Sequence, residues 1–378
     1  MTSGTKAQET FMIKQVLTIA GSDSGGGAGI QADLKAMSAN GVYAMSVITA
    51  ITAQNTEEVT DVFELPTSII AAQLDAIFDD FDVAAVKTGM LSSTDIIKTV
   101  VTLLKPQQVK NLVVDPVMIA KGGQALLKPD AIDTIKKELF PLALLVTPNV
   151  HEAQQLSGIE ITSLADARRA AKTIHQFGCA NVLIKGGHLA SDRATDLLYD
   201  GCFFNIYKGE FIDTPHTHGT GCTFASAIAA HIARGKTVPD AVQTAKTYLT
   251  EAIRHSLAIG HGKGPTNHFF FLNQGERYES RARITTFILV GRMGLAAADV
   301  TDRTGNLPGH RTRLPAASRA TPVTCAWSAH RRPPSAPDRP GTHRGRPHRP
   351  GRQRAETPPA VLQHESRRPR TRRRGLVA

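Results

Sequence analysis

Short apolar runs alternate with amphipathic stretches through the first two-thirds of the chain. Val16–Ala20, Ala44–Thr49, Val83–Lys87, Leu112–Asp115, Ala143–Thr147 and Val182–Lys185 are apolar segments of strand length. Between them, Ile30–Ala39, Thr67–Phe78, Ser93–Leu104, Ala131–Leu139 and Leu164–Phe177 repeat apolar residues at helical spacing. Strands that are apolar on both faces and separated by helices predict βαβ units and a parallel sheet covered on both sides. Thr195–Tyr199, Phe203–Tyr207 and Glu210–Asp213 predict a short meander at a sheet edge, followed by helices at Thr220–Ala233 and Pro239–Ser256. The predicted fold is α/β, a three-layer α/β/α sandwich with a mostly parallel central sheet. Ligands of such sheets bind outside the carboxyl ends of the strands, so polar residues there carry the chemistry.

Composition divides the chain near Gln274. Residues 1–274 hold 17 Lys and 5 Arg against 26 acidic residues, whereas residues 275–378 hold no Lys, 22 Arg and 7 acidic residues. The net charge of +11 therefore belongs to the tail and argues for neither a nucleic-acid nor a membrane role of the remainder. The expected organisation is an N-terminal extension at 1–13, a folded domain at 14–274 and an Arg/Pro-rich tail at 275–378. Met12 offers a second start site. The tail, with 12 Pro and few large aliphatics, cannot bury enough apolar area to offset chain entropy and is expected to be disordered. Arg-rich arms contact phosphates, but Trp327 is the only tryptophan, so no nucleic-acid partner is expected unless through the tail. The loss of Lys favours GC-rich DNA read in a non-native frame, or a fused fragment, over a selected function. Cys179, Cys202, Cys222 and Cys325 form no CxxC pair, which favours a reducing, cytoplasmic setting. No apolar run approaches the roughly 18 residues of a membrane helix.

The stretch with the most chemistry is Thr217-His218-Gly219-Thr220-Gly221-Cys222-Thr223, directly before a good helix former. Small residues at a helix entrance leave backbone N–H groups bare, and these orphan donors with the helix dipole make an anion site. The same field is expected to depress the pKa of Cys222. Two readings fit this stretch by itself: a phosphate cradle with an activated thiol, or a glycine-containing helix start over a buried, inert cysteine.

Other motifs follow predicted strands. The run from Gly21 through Asp33 is Gly-rich but is neither a P-loop nor GxGxxG. Gln54 offers donors and an acceptor for a heteroaromatic edge, and Met90 in Lys87-Thr88-Gly89-Met90 is suited to packing on a ring. Asp115 ends one strand, and Asn149 with Glu152 opens a helix after another. Mg²⁺ at a nucleotide site wants one or two carboxylates plus phosphates and water, and Asn149-x-x-Glu152 is also close to a capping box. Lys185-Gly186-Gly187-His188 sets a cation beside bare backbone, suited to a nucleotide phosphate. Lys121-Gly122-Gly123 lies in a loop, and Gly260–His268 is a late Gly-rich loop whose histidines match no standard metal spacing.

Together these segments strongly resemble the hydroxymethylpyrimidine/phosphomethylpyrimidine kinases of thiamine biosynthesis, a branch of the ribokinase-like superfamily. The resemblance rests on Ala20–Asp23, Gly26–Lys35, Val47–Ala50, Gln54–Thr56, Lys87–Leu91, Asp115–Met118, Thr147–Asn149 with Glu152, and His218–Thr223, in the family's order. It implies a ribokinase-like fold and phosphorylation of 4-amino-5-hydroxymethyl-2-methylpyrimidine, then of its monophosphate, with ATP and Mg²⁺. By this likeness Gln54, Asp33, Gly21 and Met90 bind the pyrimidine, while Lys185, Asn149 and Gly187 bind nucleotide. Asp115 and Glu152 organise the metal. Gly219, Thr220 and Gly221 form the anion hole, with Cys222 where many ribokinase relatives carry an Asp base. The likeness also implies a homodimer. The nearest alternative is a pyridoxal or pyridoxine kinase. An RNA-binding module on a dead kinase is a rival that the intact Cys222, Asp115 and Gln54 disfavour.

Overall fold

The computed structural model describes residues 12–118, 126–186 and 194–272. Most of the N-terminal extension, the Lys121-Gly122-Gly123 loop, Gly187, His188 and the Arg-rich tail lie outside the described residues.

Among the described residues, nine strands form one sheet in the order β3-β2-β1-β4-β5-β6-β7-β8-β9. They are β1 Gln15–Asp23, β2 Tyr43–Gln54, β3 Val59–Glu64, β4 Val83–Thr88, β5 Leu112–Val114, β6 Leu145–Val146, β7 Val182–Ile184, β8 Thr195–Tyr199 and β9 Phe204–Lys208. The strands from β2 to β7 run parallel, whereas β3, β8 and β9 add antiparallel edges. The helices are α1 Gly29–Ala39, α2 Thr67–Phe78, α3 Thr94–Leu104, α4 Pro129–Thr134, α5 Val150–Ser157, α6 Leu164–His175, α7 Thr220–Ala233 and α8 Val238–Arg254. The mostly parallel three-layer sandwich is therefore as expected.

Alternation along the strands builds two cores. Leu17, Ile19, Val86, Leu112 and Val114 point to one face, where α2 to α6 cover them. Val16, Ala85, Val113, Leu145 and Leu183 point to the other, beneath α1, α7 and α8. Helix α7 is mostly Ala, Ile and Phe, with Thr223, Ser226 and His231 among them, and is buried from Thr223 to Ala233, as a helix without an extended polar face must be.

Three elements differ from the sequence-based expectation. Strand β3 was not expected: its residues are mostly half-buried or exposed at the sheet edge, so no continuous apolar run marks it. Glu210–Asp213 forms no strand, and the meander ends with β9. The expected helix at Ala131–Leu139 is α4 followed by a π-helical turn at Ile135–Leu139.

Chain order places β2 on one side of β1 and β4 on the other. That reversal opens a crevice at the carboxyl ends of β1 and β4. A register shift between Ala20 and Ser22 against β2 falls at the same end, and such irregularities re-aim the side chains beside them.

Candidate active site

A cavity of about 530 Å³ opens at these strand ends, and the Gly-rich loop after β1 forms one wall. Asp23 folds that loop. Its buried carboxylate accepts the N–H groups of Gly25 (2.8 Å), Gly27 (3.0 Å) and Ala28 (2.7 Å). His218 Nε2 lies 2.9 Å from the same carboxylate. Burial opposes ionisation of Asp23, but His218 and the backbone donors outweigh it and hold the carboxyl below its ordinary range. The loop is thereby tied to the residue just before the entrance of α7.

That entrance has the geometry of an anion site. Gly219 caps α7 with φ +77°, and a Cβ there would stand 1.8 Å from the Gly27 carbonyl oxygen. Only glycine fits both demands. No side chain caps the helix and no acidic residue sits in its first turn. The N–H groups of Thr220, Gly221 and Cys222 thus have no carbonyl within the helix to bond, and they open on the cavity. His268 Nε2, 3.0 Å from Thr223 Oγ1, anchors this turn from the late Gly-rich loop. Among the described residues no group of three or more His, Cys, Asp or Glu could hold a metal ion, so those histidines do not cluster as ligands.

On one side of the entrance, Gln54 ends β2 and accepts from Thr52 Oγ1 at 3.1 Å, with its Nε2 3.3 Å from His218 Nε2. Met90 and Gly21 line the same wall. Asp33 does not, which corrects the expectation that it binds the pyrimidine. It lies wholly buried on the inner face of α1, and its oxygens accept from Thr18 (2.6 Å), Ser226 (2.7 Å) and Lys87 (2.9 and 3.0 Å). Lys87, to which the sequence reading gave no role, reaches the cavity wall in its place. Burial disfavours its charge, but Asp33, Cys222 and Asp115 outweigh that and hold the ammonium above its ordinary range. A lysine directly after the apolar run Val83–Val86, still within the strand, is the signal for it.

On the other side, Asp115 follows β5 and accepts from Lys185 Nζ (2.7 Å) and Thr147 Oγ1 (3.1 Å). Burial would raise its pKa, yet Lys185 and Lys87 hold it low. Asn149 and Glu152 do form a capping box on α5, with bonds of 2.9 and 2.8 Å, and both also line the cavity. Burial pushes Glu152 up to about 7, against Lys185 and with Asp115. The capping box is thus present, and it leaves both side chains facing the cavity. Burial opposes the charge of Lys185, but Asp115 and Glu152 keep its ammonium above the ordinary range. The position a Gly221 Cβ would take is 3.4 Å from Lys185 Nζ, so cation and helix entrance face one volume.

Cys222 lines the cavity, half-buried, but its expected activation is corrected. Burial pushes the thiol up to about 11, Lys87 pulls it down, and Asp33 and Asp115 push it up again. Burial together with the two nearby carboxylates thus holds the sulfur as a thiol rather than a thiolate. Gly187 lies outside the described residues.

The donor set suits Mg²⁺ bound together with a nucleotide. Asp115 and Glu152 are hard oxygen ligands, too few for a protein cage and the right number for an ion completed by phosphate and water.

Comparison with known proteins supplies a chemical context. The family model described as phosphomethylpyrimidine kinase matches residues 23–267. The chain is 48% identical over 264 residues to the hydroxymethylpyrimidine/phosphomethylpyrimidine kinase of Haemophilus influenzae, covering 68% of this chain and 98% of that one. It is 49% identical over 253 residues to the thiamine biosynthesis bifunctional protein ThiED of Geobacter sulfurreducens, covering 67% of this chain but 52% of that longer protein. Among solved structures, the ADP complex of Bacillus subtilis pyridoxal kinase superposes with a TM-score of 0.64 at 44% identity, over 68% of this chain and 98% of that one.

Proposed function

The chain belongs to the phosphomethylpyrimidine kinase family, and on that premise we propose that it phosphorylates 4-amino-5-hydroxymethyl-2-methylpyrimidine and then its monophosphate, yielding the diphosphate for thiamine biosynthesis. The observation that carries this reading is the bare entrance of α7, opening between Gln54 on one wall and Lys185 with Asp115 on the other.

Each residue then has a task. Gln54, Met90 and Gly21 bind the aminopyrimidine, Gln54 by its amide and Met90 by packing on the ring. Lys185 and Asn149 hold the nucleotide phosphates, with Gly187 assigned there by resemblance alone. ATP supplies the phosphoryl group, and Mg²⁺, held by Asp115 and Glu152, would neutralise charge on its phosphates. The N–H groups of Thr220, Gly221 and Cys222 stabilise charge that develops on the transferred group, and they are fixed before reaction. With its pKa pushed up to about 11, Cys222 rests as a thiol at neutral pH. Its charge state favours a hydrogen bond that aligns the acceptor oxygen, with proton removal confined to a small thiolate fraction.

The test is to supply ATP, Mg²⁺ and each acceptor to the full chain and to look for the diphosphate. Failure to phosphorylate the monophosphate would overturn the assignment. A pyridoxal kinase reading draws on the likeness to the Bacillus subtilis structure, and pyridoxal turnover without diphosphate formation would favour it. We assign catalysis to residues 14–274, so residues 12–274 should retain the full activity. A homodimer has support at the β2–β3 edge, where Ile51 and Phe63 are cross-strand partners and both exposed. Sedimentation of Phe63→Asp as a monomer would place the interface there.

A further inference from the structure

The cavity wall carries three lysines, Lys87, Lys185 and Lys263. Lys87 is neutralised by Asp33 and Lys185 by Asp115. Lys263 is exposed and, among the described residues, forms no ion pair within 4.0 Å. Its backbone is nevertheless held firmly. Lys263 N–H donates to the Thr56 carbonyl at 2.9 Å and Gly262 N–H to Thr56 Oγ1 at 3.0 Å. The next residue, Gly264, accepts from His218 N–H at 3.1 Å, and Thr266 N–H donates to the His218 carbonyl at 3.3 Å. The segment therefore spans from the turn after Gln54 to the residue before Gly219, and it roots Lys263 between the pyrimidine wall and the anion hole.

A second cavity, of about 420 Å³, adjoins the first and shares Gln54, His218 and Lys263 with it; Glu57 and Glu58 line its far part, so a phosphate is favoured at the shared rim beside Lys263. This geometry meets a demand peculiar to the second transfer. The first acceptor is a neutral alcohol. The second carries a dianionic phosphate, one oxygen of which must occupy the place the hydroxyl held. The site then needs one more cation on the acceptor side, and room for the longer molecule to sit back from the anion hole. Lys87 is sealed against Asp33, and Lys185 faces the nucleotide side beside Asp115, whereas Lys263 stands on the acceptor side with no carboxylate partner among the described residues.

We propose that Lys263 holds the phosphate of the phosphorylated acceptor and thereby sets the enzyme's preference for the second transfer over the first. The proposal rests on the kinase reading above. Its test is the ratio of kcat/KM for the monophosphate to kcat/KM for the alcohol, measured on the full chain and on Lys263→Met and Lys263→Arg. Loss of one charge-assisted hydrogen bond should lower that ratio by about 10- to 100-fold in Lys263→Met, through KM for the monophosphate. Lys263→Arg should restore most of it, and added salt should weaken the monophosphate KM of the wild type more than that of Lys263→Met. An unchanged ratio, or an equal loss on both acceptors, would overturn the proposal while leaving the kinase assignment standing. A wild-type chain that makes no diphosphate would overturn the assignment and the proposal together.

Discussion

Asp33–Lys87 and Asp115–Lys185 each set a lysine from a strand end against a carboxylate beside the entrance of α7, yet their surroundings differ. The first pair is 0% exposed at both side chains, and each oxygen of Asp33 accepts two hydrogen bonds. Those bonds tie α1 to β1, β4 and α7 and leave the carboxylate nothing to offer a ligand. The second pair is 2% exposed at Asp115 and 14% at Lys185, and both residues line the cavity. Asp115 commits one oxygen to Lys185 and Thr147, and its Oδ2 lies toward Gly221. Equal chemistry thus seals one pair into the structure, where every acceptor site is filled, and leaves the other with an oxygen toward the cavity, where a ligand can reach it.

Removing one member of each pair breaks the comparison most sharply. Asp33→Ala strands the Lys87 ammonium and should cost about 3–5 kcal/mol of stability. For a domain of this size that is a fall in Tm of about 10 °C, read by thermal unfolding. Replacing both members, as Asp33→Leu with Lys87→Met, should recover only part of that loss: the stranded charge is gone, but the buried Thr18 and Ser226 hydroxyls still lose their acceptor. Asp115→Asn should instead lower kcat/KM by about 10²- to 10³-fold with a small shift in Tm. A large Tm loss in Asp115→Asn, or normal melting of Asp33→Ala, would make the two pairs alike.

The same contrast shows what was legible in the chain. Strand positions were plain where both faces are covered, since Leu112-Val113-Val114 and Val182-Leu183-Ile184 are apolar at every position. Strand β3 escaped because an edge strand exposes part of its length. The family resemblance alone puts Asp33 in the pocket. Helical phase says otherwise: Asp33 shares its face of α1 with buried Ile30 and Met37, three before and four after it. That evidence was present in the sequence. The state of Cys222 was not, because a helix entrance can be read from residue types, whereas burial and the repulsion of Asp115 and Asp33, 107 and 189 residues away, depend on the fold.

Cys222 lies within electrostatic reach of both pairs and sharpens the distinction between them. Cys222→Ala should lower kcat by about 10²-fold or more and move KM for the acceptor only a few-fold. Its melting should stay near that of the wild type, unlike Asp33→Ala. Turnover close to wild type would remove Cys222 from the chemistry and leave the backbone N–H groups of α7 as the sole means of transfer at that turn.

The smallest effect separates the pairs by pH. Glu152 adjoins the Asp115–Lys185 pair and is raised from 4.5 to about 7, by burial first, against Lys185 and with Asp115. A carboxyl with a raised native pKa binds its proton more tightly folded than unfolded. Between about pH 4.5 and 7 the native state therefore carries a proton the unfolded state has lost, and stability falls as pH rises through that window. Glu152→Gln keeps an oxygen to accept the Asn149 N–H while removing the titration, so unfolding free energy should vary less with pH there. Denaturant titrations at pH 5 and pH 7 measure this difference directly. An unchanged slope in Glu152→Gln would mean that Glu152 is ionised throughout, with Lys185 shared between two carboxylates rather than committed to Asp115.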